Sequence, residues 1–284
     1  MTDILVFGYG GQVATELRRF SGITALGRGD ADLSDPATCV AAIEAHRPDA
    51  VINAAAFTAV DAAEKEEPLA NVVNGDSPAA MAQVCASMNI PLVHISTDYV
   101  LAGSGTRPWS PEDPPAPQNA YGRSKLAGEL GVRAAGGAHA ILRTSWVFSA
   151  HGGNFVETML RVAQNRDEIS VVNDQQGGPT AARDIAAACL IVIEQLVKDS
   201  SKSGTYHFSG WPDVSWCDFA VAIFAQASLD IRVQGIPTRD YPTPATRPTN
   251  SRMDCQKTEE VFAIPRPAWR AGLAETLTEL GVIT

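Results

Sequence analysis

Apolar residues in the first half of the chain fall into short, β-branched runs separated by longer alanine-rich stretches. The runs "ILVFG" (4–8), "ITAL" (23–26), "AVINAAA" (50–56), "PLVHIST" (91–97) and "HAILRTSWVF" (139–148) are nearly continuous, the pattern of strands covered on both faces. Between them, "QVATELRRF" (12–20), "PATCVAAIEAHR" (36–47), "SPAAMAQVCASMN" (77–89) and "SKLAGELGVRAA" (124–135) read as helices. The second and third are entered by Ser34-Asp35-Pro36 and Asp76-Ser77-Pro78, where proline suits a first helical turn. The alternation predicts an α/β fold, a Rossmann-like doubly wound parallel sheet with helices on both faces. Such sheets bind ligands beyond the carboxyl ends of their strands.

Past residue 150 the alternation loosens. "SVVNDQQGGPT" (170–180) reads as strand then loop, 181–198 as a long helix, 204–210 as a strand and 216–227 as a helix. The expected organisation is a dinucleotide-binding domain over 1–150 and a smaller α/β substrate-binding domain over 151–284, the helix at 181–198 packing back on the first. Two proline-rich stretches interrupt the pattern. The one at 107–117 reads equally as a rigid connector or a functional loop, and the one at 236–250 as a substrate cover.

Composition narrows the classes. A chain of 284 residues with 45% hydrophobic content can bury a full core. The net charge of -10 gives no positive field to hold a phosphate backbone, so nucleic acid is not expected as a partner. Five cysteines, odd in number and without a C-x-x-C pair, predict reduced thiols and a cytoplasmic protein. The start "MTDILVFGYGG" has no basic region ahead of its apolar run, and 185–193 is too short to span a bilayer, so neither a signal peptide nor a membrane segment is expected. The histidines stand at no ligand spacing from a thiol or carboxylate, and no metal site is expected.

Candidate chemistry starts at the first strand's end. In "LVFGYGGQVATEL", Gly8 and Gly11 let backbone approach a pyrophosphate, Ala14 replaces a third glycine, and the helix that follows turns free N–H groups toward an anion. About twenty residues on, where an acidic residue would take the adenosine ribose, the chain reads "LGRGDADL". Arg28 suits a 2'-phosphate, which favours NADPH over NADH, or it is simply solvated; Asp32 and Leu33 are placed to flank the adenine. In "NAYGRSKLAGE" (119–129), Tyr121 and Lys125 lie four apart on one helix face. A free phenol titrates near 10, too high for acid–base work at neutral pH, and a nearby ammonium would bring it down. A lone Tyr-x-x-x-Lys is weak evidence, so the rest of the chain must decide.

A glycine loop at the N-terminus, "STDYV" (96–100) closing the fourth strand and the Tyr121–Lys125 pair together resemble the extended short-chain dehydrogenase/reductases. More closely, "GGQVATEL", "NAAAFTAVDAAE", "STDYVLAG", "NAYGRSKLAGE", "RTSWVF", "NDQQGGPT" and "RPTNSRMD" resemble, in collinear order, the dTDP-4-dehydrorhamnose reductase family. The resemblance implies NAD(P)H-dependent reduction of a 4-keto sugar nucleotide, with Tyr121 as proton donor, Lys125 tuning it and holding the nicotinamide ribose, and Thr97 orienting the carbonyl. It further implies cofactor contacts from Gly11, Gln12, Val13, Ala54, Ala55 and Ala56, and contacts to a dTDP-sugar from Asp98, Trp146, Arg247, Asn250 and Ser251. Trp146 also reads as a core aromatic, and Arg247 as the partner of an acidic neighbour. Some members form metal-bridged dimers; Glu16 and Glu279 match such positions, but Arg183 replaces the third carboxylate, so no metal is expected and a homodimer stays open. Tyr99 after Asp98 disfavours the dehydratase pattern, in which a glutamate follows. A 4-epimerase or a non-catalytic subunit on the same scaffold are the rivals.

Overall fold

The structure, a computed structural model, describes residues 2–284. The first half of the chain lays down β1 (Ile4–Phe7), α1 (Gln12–Leu17), β2 (Ile23–Leu26), α2 (Pro36–His46), β3 (Ala50–Asn53), α3 (Val60–Ala63), α4 (Glu67–Asn71), α5 (Ser77–Met88), β4 (Leu92–Thr97), α6 (Ala120–Ala134) and β5 (His139–Thr144). The second half adds β6 (Val147–Phe148), α7 (Phe155–Ala163), β7 (Glu168–Val172), β8 (Gln176–Gly177), β9 (Thr180–Ala181), α8 (Ala182–Lys198), β10 (Gly204–His207), β11 (Val214–Ser215), α9 (Trp216–Gln226), β12 (Arg232–Ile236), β13 (Asn250–Ser251), α10 (Gln256–Phe262) and α11 (Trp269–Glu279).

Six strands form one parallel sheet in the order β10-β5-β4-β3-β1-β2. Because successive side chains point to opposite faces, Ile4 and Val6 join Ile52, Val93 and Leu142 against α1 and α8, while Leu5 and Phe7 join Val51, Leu92 and Ile141 against α2 and α5. Continuous apolar strands thus feed two cores at once, and the sheet is doubly wound and Rossmann-like. Its order reverses direction between β1 and β3, the place where such sheets open a crevice for a ligand.

A third core gathers α7, β7, α9 and α11 through Phe148, Val156, Ile169, Phe219, Trp269 and Leu273. Around it lie a parallel β7–β12 pair, the small β11-β8-β13 sheet and the β6–β9 pair. The run read as one strand over 139–148 is broken: β5 stops at Thr144, Trp146 takes a left-handed φ of 50°, and β6 leaves to pair with β9. The chain thereby crosses from the large sheet to the third core. No helix among the described residues is long and apolar enough to cross a membrane.

Candidate active site

Three chain segments meet at the carboxyl ends of β1, β3 and β4. After β1, Gly8 sits at φ 114°, a conformation glycine adopts freely. A Cβ there would lie 3.3 Å from the Ala14 methyl and 3.4 Å from the backbone of Ala54 and Ala55, so the loop after β1, helix α1 and the end of β3 close on one another. Gly10 and Gly11 face open space, and Gly11 caps α1 without a side-chain hydrogen bond, leaving first-turn N–H groups free. Val13 is buried in the core and Gln12 accepts from the Ser149 hydroxyl at 2.9 Å. Their backbone N–H groups are what they can offer a phosphate. These features fit a dinucleotide pyrophosphate: a flat glycine cradle, free donors and small residues at the neighbouring strand end.

At the end of β2, Arg28 is 80% exposed and its Nε pairs with Asp32 at 3.0 Å. Hydrogen bonds from the Ser34 backbone and from Arg28 hold Asp32 down at about 2. Leu33 turns inward to the core instead of outward. Arg18, which the sequence did not single out, stacks on Tyr9 at 3.6 Å and donates to its hydroxyl at 2.7 Å.

The second half of the site is α6. It begins at Ala120, ahead of the apolar run at 124–135 and taking in the Tyr121–Lys125 face the sequence placed on a helix, because Asn119 caps it: Oδ1 accepts the Gly122 N–H at 2.8 Å. Glu64 Oε1 takes the Ala120 N–H at 2.8 Å, so the first turn is fixed from two sides and Tyr121 sits within it. One turn on, Lys125 is buried and donates to the Ile95 carbonyl of β4 at 2.7 Å. The helix approaches a π-helical turn at Val72–Asp76 so closely that a Cβ on Gly128 would fall 2.1 Å from the Asn74 carbonyl oxygen. The Asn74 side chain returns the contact by donating to Ser124 Oγ at 2.9 Å.

At the end of β4, Thr97 Oγ1 donates to Asp98 at 3.0 Å and Ser251 Oγ donates to the other Asp98 oxygen at 2.5 Å. Burial raises the Asp98 carboxyl to about 6, with the Ser251 and Thr97 hydroxyls resisting. Burial also pushes the Tyr121 phenol up, the Thr97 hydroxyl pulling it back and Asp98 and Tyr99 adding to the rise. Burial, not the Lys125 ammonium, governs the phenol here, and Tyr121 is held protonated. Lys125 is itself lowered to about 8 by burial, against the pull of Glu129.

The remaining predicted residues divide. Trp146 stacks on Trp216 with ring centroids 3.6 Å apart. Arg247 donates to Asp61 at 2.7 Å, the acidic-neighbour reading, and Asp61 also accepts the Ala245 N–H. With Asn119 donating to the Thr246 carbonyl at 2.8 Å, the proline-rich 236–250 stretch is fastened to the start of α6 and to α3. Asn250 is buried and spends its amide on the Ser104 and Arg107 carbonyls and the Arg252 N–H, holding the 103–109 loop. Away from this site, Glu16 and Glu279 come together with His151, a third ligand-type group invisible to local spacing, while Arg183 pairs instead with Glu275. The Arg19 guanidinium contacts all three and supplies the cluster's cation.

A glycine loop at the β1/β3 switch point, facing a Tyr121–Lys125 helix and a Thr97 strand end, defines a nucleotide-dependent oxidoreductase of the extended short-chain dehydrogenase/reductase class. Residues 1–282 match the family described as RmlD substrate binding domain, and the chain belongs to it. It is 42% identical to the dTDP-4-dehydrorhamnose reductase of Sinorhizobium fredii over 94% of this chain and 93% of that protein. It is 38% identical to that of Escherichia coli over 99% of each. The crystal structure of the Bacillus anthracis dTDP-4-dehydrorhamnose reductase in complex with NADP matches with a TM-score of 0.91 at 33% identity, covering 98% of this chain and all (100%) of that one.

Proposed function

We propose that this chain reduces the 4-keto group of dTDP-4-dehydro-L-rhamnose to give dTDP-L-rhamnose, using NADPH, with NADH as a poorer alternative. The observation that carries the reading is the seating of Tyr121, held protonated, beside Thr97 and Asp98 with Lys125 buried one turn away. End-to-end likeness to proteins named for this reaction supports it.

Bound NADPH supplies the hydride. Gly8, Gly11 and the backbone of Gln12 and Val13 would hold its pyrophosphate, Ala54 to Ala56 would lie against it, and Arg28 would meet the 2'-phosphate. Thr97, its hydroxyl turning from Asp98 to the substrate, would orient the carbonyl by hydrogen bond, and Tyr121 would give its phenolic proton to the oxygen as negative charge develops there. The buried Lys125 charge favours the phenolate left behind. Asp98 accepts from a sugar hydroxyl, and Ser251, already bonded to it, fixes its orientation. Arg247 and Ser251 would contact the substrate from the second half of the chain and Trp146 from the turn just before it, so residues 151–284 would serve mainly substrate binding, with the 236–250 stretch as a cover over the sugar nucleotide. The free cysteines, four of the five buried, suit a reducing cytoplasm.

The test is oxidation of NADPH, then NADH, with enzymatically made dTDP-4-dehydro-L-rhamnose. Rapid loss of reduced-nicotinamide absorbance with a rhamnosyl product supports the assignment. No oxidation by protein that binds NADPH refutes it.

A further inference from the structure

Lys125 is met from the sheet side by a histidine that the mechanism above does not use. His94, in β4, is fully buried; its Nε2 lies 3.4 Å from Lys125 Nζ and its Nδ1 lies 3.1 Å from Asn53 Nδ2. Hydrogen positions along this chain are fixed one by the next. Asn53 Oδ1 accepts the Ala55 N–H at 3.1 Å, so the amide nitrogen must be the atom facing His94, and it can only donate. His94 Nδ1 is therefore an acceptor, and the neutral ring carries its proton on Nε2, aimed at Lys125. An ammonium finds its acceptor in the Ile95 carbonyl, but toward His94 it meets another N–H. A neutral amine would instead receive that N–H on its lone pair.

We propose that Asn53 and His94 act as a positioning pair: Asn53 locks the His94 tautomer, and the Nε2–H so presented opposes the Lys125 ammonium and makes Lys125 a ready proton donor. The inference rests on the reduction proposed above. In each turnover the Tyr121 O–H bond breaks and its proton goes to the substrate oxygen. A Lys125 N–H then breaks to restore the phenol, and the amine takes a proton from water. With the phenol pushed up and the ammonium brought down by burial, that transfer runs downhill, and an ammonium opposed by the His94 N–H gives up its proton the more readily.

The surroundings agree with the geometry. Burial lowers Lys125 to about 8, and burial together with the Lys125 charge keeps His94 well below the ordinary imidazole value. Glu129, on α6 itself, is the charged group pulling Lys125 upward; Asp98 and Tyr99, beyond β4, act on Tyr121. From β3 and the π-helical turn the facing polar groups are the uncharged Asn53 and Asn74. Gly128 is the residue that lets α6 approach the ring, a Cβ there standing 3.5 Å from His94 Nε2.

Long-range proton–nitrogen NMR of the wild-type imidazoles reads the tautomer without any substrate. His94 should be neutral with its proton on Nε2 from roughly pH 6 to 9, and an Nδ1–H tautomer or an imidazolium overturns the proposal. Turnover supplies the second arm. Activity needs the Lys125 ammonium, so the rate of the wild type should fall as pH rises through about 8. In Asn53→Asp the carboxylate would accept from Nδ1–H and leave Nε2 as an acceptor for the ammonium, moving that alkaline limb up by about one pH unit. His94→Gln, which adds no charge, should move it the same way. A purely structural role would lower the rate at every pH without moving the limb, and an unmoved limb in both variants overturns the proposal. A wild type that does not reduce the dTDP-sugar overturns the assigned reaction instead, and the NMR result still decides the tautomer.

Discussion

Glu129 is an acid with no exposed surface, and removing it should cost more than any surface ion pair could. One carboxylate oxygen accepts from Ser96 Oγ at 2.7 Å and Arg143 Nε at 2.8 Å; the other accepts from Arg143 Nη2 at 2.7 Å and Arg133 Nη2 at 2.5 Å. In Glu129→Ala the Arg133 guanidinium, 34% exposed, can turn to water. Arg143, 1% exposed, cannot, and keeps only a 3.4 Å contact to His207 Nε2. An uncompensated buried charge of this kind costs about 3–5 kcal/mol, or about 5–8 °C in Tm for a chain of this size. Urea denaturation followed by tryptophan fluorescence measures the loss. The double variant Glu129→Leu, Arg143→Met removes both charges and should recover most of it. Burial pushes the Glu129 carboxyl up, but Arg143, Ser96 and Arg133 outweigh it and the net value lies below 4.5. Its stabilisation is therefore present above the unfolded value and lost as pH falls through the folded one, so wild type and Glu129→Ala should converge on acidification. A loss under about 1 kcal/mol at neutral pH, or a double variant no better than the single, would refute the reasoning.

Tyr121→Phe should bind NADPH within about twofold of wild type and lose roughly 10²- to 10⁴-fold in kcat; single-turnover rates near wild type would remove Tyr121 from the chemistry. Arg28→Ala should lower the ratio of kcat/KM for NADPH over NADH by about tenfold, since the guanidinium is lost and Asp32 is left unpaired beside the 2'-phosphate; an unchanged ratio places the phosphate elsewhere. The Asp98 carboxyl is raised from 3.8 to about 6, so folding favours its protonated form. Stability from that source is full below 3.8 and lost as pH rises through 6. The stability of wild type relative to Asp98→Asn should fall by about 3 kcal/mol from acid to neutral pH, and a difference independent of pH counts against the burial argument.

Local patterning reveals much of this molecule because its central strands are buried on both sides. Runs such as "ILVF" and "LVHIST" have few other uses, and the glycine loop and the Tyr121–Lys125 spacing are each contained within a short contiguous stretch. What stayed hidden is what depends on distance along the chain. Asn119 and Glu64 start α6 ahead of its apolar pattern, and Glu64 lies 56 residues from the N–H it receives. The short helices α3 and α4 and the π-helical turn give no periodic signal. The break at Trp146 is concealed in a run that looks like one strand, since a tryptophan gives no signal of a left-handed φ. His94 and Asn53 read as ordinary members of buried strands. Only the parallel register, with Asn53 beside His94, brings their side chains together under Lys125.

The sixth strand has a consequence for synthesis. β5 is flanked by β4 on one side and by β10 on the other, and β10 is translated only after α7, β6 to β9 and α8. Until residue 207 has left the ribosome, a nascent chain that has paired its first five strands exposes the outer edge of β5, "HAILRT", which would template pairing with a neighbouring chain. Slow codons or a stalled ribosome between residues 145 and 207 would prolong that exposure. That interval of translation is an aggregation hazard which the stability of the finished fold does nothing to remove.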